Sequence, residues 1–159
     1  MVEPFTIAVP EARLAAIRAR LEAFDWDSVA DAGGWRSGVG LADLRRLADH
    51  WLTRYDWRIH DRRLNKLPHF TAELSGQRLH FIHARGDGSH LPLLLLHGWP
   101  GSFLEFEHLI APLVADGHDV IVPSLPGYAF SGRLSTPIGP RQTADLMHAL
   151  MTEACSTRK

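Results

Sequence analysis

The 159-residue chain contains a single cysteine, Cys155, so no disulfide can form within it and a cysteine-based zinc site is not expected. No apolar stretch approaches the roughly 20 residues that span a bilayer, and the run Leu91–Leu96 falls far short of it. The opening residues Met1–Phe5 lack the basic segment and apolar run of a signal peptide, which makes a cytoplasmic protein the expectation. Charge is nearly balanced, with a formal net of -1, so electrostatics offers no reason to expect nucleic acid or an anionic membrane as partner. There is no glycine-rich phosphate loop and no Gly-x-Ser-x-Gly elbow. Of the ten histidines, His60, His69, His90, His108 and His118 show no ligand spacing, and His80 and His83 fall on opposite faces of a strand. Neither a bound metal nor an organic cofactor is expected. Internal repeats and low-complexity tracts are also absent.

What is present is a hydrophobic content of 45%, enough for a packed core in one domain of ordinary size. Pro10 followed by Glu11 suits a helix start, since proline costs nothing in the first turn and an acid complements the N-terminal dipole. Leu14, Ile17, Leu21 and Phe24 then recur at three- and four-residue steps on one face. The segment 31–40 is rich in glycine and reads as a loop. Leu41, Leu44, Leu47, Trp51 and Leu52 predict a second amphipathic helix, and Tyr55–Leu67 a short third one ended by Pro68.

Beyond Pro68 the pattern changes. His69–Leu74 and Gln77–His83 alternate around Ser75-Gly76, which predicts a β-hairpin. Leu91–Leu96 shows no alternation, the pattern of a parallel strand buried on both faces. Ser102 with Glu105 forms a capping box ahead of Phe103, Phe106, Ile110, Leu113 and Val114, with Pro112 inside that helix and Gly117 closing it. Asp119–Pro123 predicts another buried strand, and Pro140 opens a last helix carrying Ala144, Met147, Leu150 and Met151. The order is helices and then β-β-β-α-β-α, which favours a parallel strand-helix-strand unit with ligands at the carboxyl ends of its strands. Cys155 falls in a polar tail, where an exposed free thiol is the expectation.

Two segments lie at such strand ends. His97-Gly98-Trp99-Pro100-Gly101-Ser102 sets two glycines around a Trp-Pro pair, directly after a strand and directly before a capped helix. Glycine lets the backbone turn sharply and come close to a ligand, a Trp-Pro bond can be cis, and backbone N–H groups in such a turn can face a developing oxyanion. A plain strand-to-helix turn explains the same residues equally well. The second segment, Ser124–Gly132, joins turn residues to the aromatics Tyr128 and Phe130 and reads as a packed surface loop or a pocket wall.

Together these stretches resemble the microsomal-type epoxide hydrolases of the α/β-hydrolase superfamily. The resemblance rests on Leu91–Leu96, on His97–Ser102, and on Pro123–Ser131. Independently, Tyr55-Asp56-Trp57-Arg58, Leu64-Asn65, Leu67-Pro68-His69-Phe70 and His80-Phe81-Ile82-His83 are similar to that family's N-terminal extension and first strands. It implies an α/β fold divided into a helical extension over 1–68, the first part of an α/β-hydrolase core over 69–153, and a tail of 154–159 outside the resemblance. It also implies chemistry without metal or cofactor. An aspartate opens the epoxide and forms an ester, a His-acid pair activates water to cleave it, and cap tyrosines polarise the epoxide oxygen. Carried onto this chain, the Trp99 N–H is the oxyanion donor, with Trp99 and Pro100 contacting substrate. His97, Gly98 and Gly101 are structural members of the motif, and Tyr128 and Phe130 are packing residues.

The same resemblance places the nucleophile, the base and the cap beyond Lys159. The expectations are therefore an epoxide as small-molecule substrate once the remaining part is supplied, no turnover by these residues alone, and a homodimer through an exposed strand edge. Two rivals stay open: a non-catalytic self-associating or regulatory domain, and another α/β-hydrolase reaction such as ester or haloalkane hydrolysis.

Overall fold

The computed structural model describes residues 1–31 and 33–155, and the chain divides into two compact units. One is Ile7–Leu64; the other joins Met1–Thr6 to Asn65–Lys159.

The unit Ile7–Leu64 is helical. Helix α1 spans Glu11–Glu22, α2 Leu41–Thr53 and α3 Trp57–Leu64, with a short 3-10 turn at Trp26–Ser28. Pro10 stands as the N-cap of α1, and Glu11 occupies its first turn. Side chains tie the helices together at backbone ends. Arg18 donates to the Leu52 carbonyl at 2.6 Å, joining α1 to the end of α2. Arg58 donates to the Val9 carbonyl and to Asp61, each at 2.8 Å, and pairs with Glu11.

The second unit is built on a five-stranded sheet ordered β1-β2-β3-β5-β4: β1 Val2–Pro4, β2 His69–Leu74, β3 Gln77–Ala84, β4 Leu93–Leu94 and β5 Val120–Pro123. The first residues, which the pattern grouped with the helical extension, pair antiparallel with β2 through Val2–Ala72 and Pro4–Phe70. The hairpin forms where it was expected. Ser75 and Gly76 both have positive φ, 49° and 75°, which gives the turn the twist its strands need. Strands β4 and β5 run parallel, Leu93 beside Val120, and are joined by a 3-10 turn at Phe103–Phe106 and helix α4, Glu107–Ala115. Ser102 and Glu105 make both capping-box bonds at its start. Helix α5, Pro140–Ala149, continues into a π turn over Leu150–Ala154.

The sheet has two faces. Ala72, Leu79, Phe81 and Ile121 pack against Leu146, Met147, Ala149 and Leu150 of the last helix and its π turn. Each fully buried Leu, Ile or Phe is worth about 1.5–3 kcal/mol, so this layer anchors the helix firmly. The other face carries His80, Ile82 and Val122, in register with Thr71, His69 and one another.

Two expectations change here. The run Leu91–Leu96 is not buried on both faces. Its strand, Leu93–Leu94, lies at the edge of the sheet, the open edge expected for self-association, and the run around it stays partly uncovered, with Leu91 76% and Leu96 47% exposed. Cys155 is not exposed either. The π turn carries it back onto the core, where it is a free, buried thiol, and burial pushes its pKa up to about 12. The tail from Ser156 onward lies outside the described residues.

Candidate active site

The turn 97–102 leaves the carboxyl end of β4 and enters the capped helix, and the loop 124–132 leaves the carboxyl end of β5. The structure brings the two together through His97, which is buried. The Leu125 N–H can only donate, and it does so to His97 Nε2 at 3.1 Å. The proton of the neutral ring therefore sits on Nδ1, which donates to the Gly98 carbonyl at 3.1 Å. Tyr128 packs edge-on against the His97 ring, centroids 5.0 Å apart.

Trp99 is 83% exposed, and its N–H makes no hydrogen bond among the described residues. The Trp99-Pro100 peptide is cis. A Cβ at Gly98 would meet nothing within 4 Å, so that side of the turn is open. Gly101 is different: a Cβ there would overlap the Glu105 carboxylate and lie 2.9 Å from the Gly98 carbonyl. Glycine at 101 thus lets the capping box and the turn occupy adjacent space.

Beside the turn lies an open groove of about 720 Å³, walled by Leu94, Leu96, Leu125, Tyr128, Met147 and Met151 among others. His97 and His148 reach it, but among the described residues no carboxylate lines it. Trp99 and Pro100 stand outside its lining. Phe130 packs away from the groove against Phe5, His80 and Phe103.

A second polar cluster went unread in the sequence. His69 Nδ1 and His80 Nε2 are 2.9 Å apart, and His80 Nδ1 is 2.8 Å from Ser124 Oγ. The Ser131 hydroxyl donates to the Ser124 carbonyl at 2.7 Å and accepts from the His80 N–H at 3.0 Å. Burial, with His69 and Arg78 nearby, holds the His80 pKa at about 3, so its imidazole is neutral at ordinary pH. This cluster clamps the start and end of the 124–132 loop onto β3. Its signal lay in the hairpin register. Thr71 opposes His80 and His69 opposes Ile82, which makes His69 and His80 diagonal neighbours on one face. His83 lies on the other face, near Asp119. Among the described residues no group of three or more His, Cys, Asp or Glu is placed to hold a metal ion, and no helix is long and apolar enough to cross a membrane.

A parallel strand-helix-strand unit with its turns meeting at the strand ends is common to open α/β sheets, and the family model described as alpha/beta hydrolase fold matches residues 92–155. The family model described as epoxide hydrolase N terminus matches residues 2–106, so the chain belongs to the epoxide hydrolase family. Juvenile hormone epoxide hydrolase 2 of Ctenocephalides felis is 34% identical over 94% of this chain and 35% of its own length. Epoxide hydrolase 1 of Sus scrofa is 32% identical over 82% of this chain and 32% of its own. The crystal structure of juvenile hormone epoxide hydrolase from Bombyx mori superimposes with a TM-score of 0.85 at 31% identity, covering 96% of this chain and 43% of that one. Aspergillus niger epoxide hydrolase gives 0.84 at 31% identity with the same coverage. The chain thus spans about a third of the length of these curated relatives.

Proposed function

We propose that these residues supply one wall of an epoxide-hydrolase active site and one of its oxyanion donors, and do not turn over epoxides by themselves. The observation that carries this is the Trp99 N–H. It has no acceptor among the described residues, belongs to a residue that is 83% exposed, and is mounted on a turn whose Gly98 carbonyl is held by His97. A backbone donor fixed before the reaction stabilises developing negative charge without reorganising at the moment it forms. In this reading His97 is not a base, because both its ring nitrogens are engaged by backbone groups. Gly101 serves the packing of the turn, and the exposed Trp99 ring and Pro100 meet substrate from outside the groove. Among the described residues the groove offers apolar surface but no carboxylate that could attack an epoxide carbon. Joined to a segment bearing an aspartate nucleophile, a His-acid pair and a cap, the site would hydrolyse an epoxide to a vicinal diol.

Incubating the chain with an aryl or alkyl epoxide and measuring diol by mass spectrometry tests this. No diol above the buffer rate is expected from these 159 residues, and turnover is expected once the chain is fused to the C-terminal part of a relative. Diol formation by the chain alone would overturn the assignment, as would an inactive but folded fusion.

Self-association through β4 belongs to the same proposal. Leu93 N–H and Leu95 N–H bond to the Asp119 and Ile121 carbonyls at 2.8 and 2.9 Å, which turns the backbone groups of Leu94 and Leu96 toward the open side. An uncharged, apolar edge of this kind templates pairing with a second copy.

A further inference from the structure

We infer that His97 is the positioning residue that aims the Trp99 N–H, acting through the peptide plane between residues 98 and 99. The inference rests on the oxyanion role proposed for Trp99 and goes beyond it by naming what sets the donor's direction.

The Gly98 carbonyl and the Trp99 N–H belong to one peptide unit. That unit is trans, since the cis bond is the next one, Trp99-Pro100. In a planar trans peptide the C=O and N–H vectors are antiparallel. Fixing the carbonyl therefore fixes the direction of the N–H on the opposite side of the plane. His97 Nδ1–H holds that carbonyl at 3.1 Å.

The ring itself is held from its far side. Nε2 accepts from Leu125 N–H at 3.1 Å, and the preceding residue, Ser124, is fastened twice to β3 and once to Ser131 at the far end of its own loop. Its N–H donates to the His80 carbonyl at 2.8 Å, its Oγ lies 2.8 Å from His80 Nδ1, and its carbonyl accepts from Ser131 Oγ at 2.7 Å. A continuous path of hydrogen bonds and the peptide units between them thus runs from the middle of the sheet to the donor: His80, Ser124, the Leu125 amide, His97, the Gly98 carbonyl, the Trp99 N–H. Gly101 keeps space beside the Gly98 carbonyl, so no side chain competes for its position. Neither asparagine nor alanine at position 97 could bridge both loops, because the two bonds leave opposite corners of the imidazole.

NMR on the isotope-labelled chain at pH 7.5 tests this without reference to catalysis. Long-range proton–nitrogen correlation of the wild-type imidazole should show Nδ1 protonated and Nε2 bare; an Nε2–H tautomer would overturn the inference. The residual dipolar coupling of the Trp99 N–H should fit the alignment frame set by the β2, β3 and β5 amides. In His97→Ala it should fall by half or more, and Leu125 amide exchange should speed up about tenfold, the loss of one net hydrogen bond of roughly 1.4 kcal/mol. His97→Asn keeps a donor near the Nδ1 position. It should restore the Trp99 coupling while leaving Leu125 exchange fast, a split that general loosening of the fold would not produce. An unchanged Trp99 coupling in His97→Ala, or no difference between the Ala and Asn variants, would refute the role. Should His97→Ala fail to fold, the wild-type tautomer and the Asn variant still decide. None of these readouts uses an epoxide, so a correctly aimed Trp99 N–H in a chain whose fused form proves inactive would sink the proposed function and leave this inference standing.

Discussion

Acid should destabilise the sheet unit through His80 in a way that can be worked out in advance. Its ring is enclosed by Phe5, Phe103 and Phe130, with centroids 5.2, 5.2 and 5.3 Å away, and it stacks on His69 at 5.1 Å. Burial first, then His69 and Arg78, lower its pKa from 6.5 to about 3. The folded state thus keeps the ring neutral, whereas the unfolded chain protonates it near pH 6.5. Below that pH the unfolded state binds the extra proton, so stability is fully present above about 6.5 and falls as pH drops toward 3. One proton corresponds to a slope of about 1.4 kcal/mol per pH unit, which makes the loss at pH 5 about 2 kcal/mol. His83, whose pKa is lowered by burial and by Arg85, works in the same direction. Urea unfolding at pH 7.5, 6 and 5, followed by the amide resonances of β2 and β3, measures the slope. His80→Asn should be less stable at pH 7.5 but should lose the one-proton slope, so its curve converges on the wild type as pH falls. In parallel, the His80 ring protons should not titrate above pH 4. Parallel pH slopes for the two proteins, or a His80 titration near 6, would refute the reasoning.

Cys155 should resist thiol reagents in the native protein. Its pKa near 12 leaves almost no thiolate at neutral pH and its side chain is buried, so labelling with an aromatic disulfide at pH 7.5 should accelerate on the order of a hundredfold or more in denaturant. Stoichiometric labelling of the folded chain within minutes would contradict the packing of the π turn. The β4 edge should make the chain self-associate at micromolar concentration, and Leu96→Lys, which puts a charge on a half-exposed edge position, should shift it to monomer in light scattering without lowering its melting temperature by more than a few degrees. A monodisperse wild-type monomer would remove the basis for strand-edge pairing.

The elements were legible where chemistry is local. Ser75-Gly76 predicted the hairpin because two consecutive left-handed residues suit few other structures. Ser102 and Glu105 predicted the helix start because a capping box closes within four residues. Pro10 and Pro140 marked helix starts for the same local reason. The turn His97–Ser102 was also visible, and with the surrounding motifs it was enough to place the chain in its family.

What local pattern could not carry was anything set by register or by what lies alongside. The apolar run Leu91–Leu96 reads as a strand covered on both faces, and only the packing around β4 decides that it stays partly open, with Leu91 76% and Leu96 47% exposed. Cys155 sits among polar neighbours in sequence, yet a π turn brings it into the buried core that also holds Leu150 and Met147. His69 and His80 are eleven residues apart, with Ser124 and Ser131 farther still, and they meet because hairpin pairing and the β3–β5 ladder put them on one face. The sequence by itself determined the family, the sheet hairpin, the capped helix and the position of the turn His97–Ser102. The direction of the Trp99 N–H was settled by tertiary structure alone, because it depends on a carbonyl held by His97, and His97 is held by an amide from a different loop.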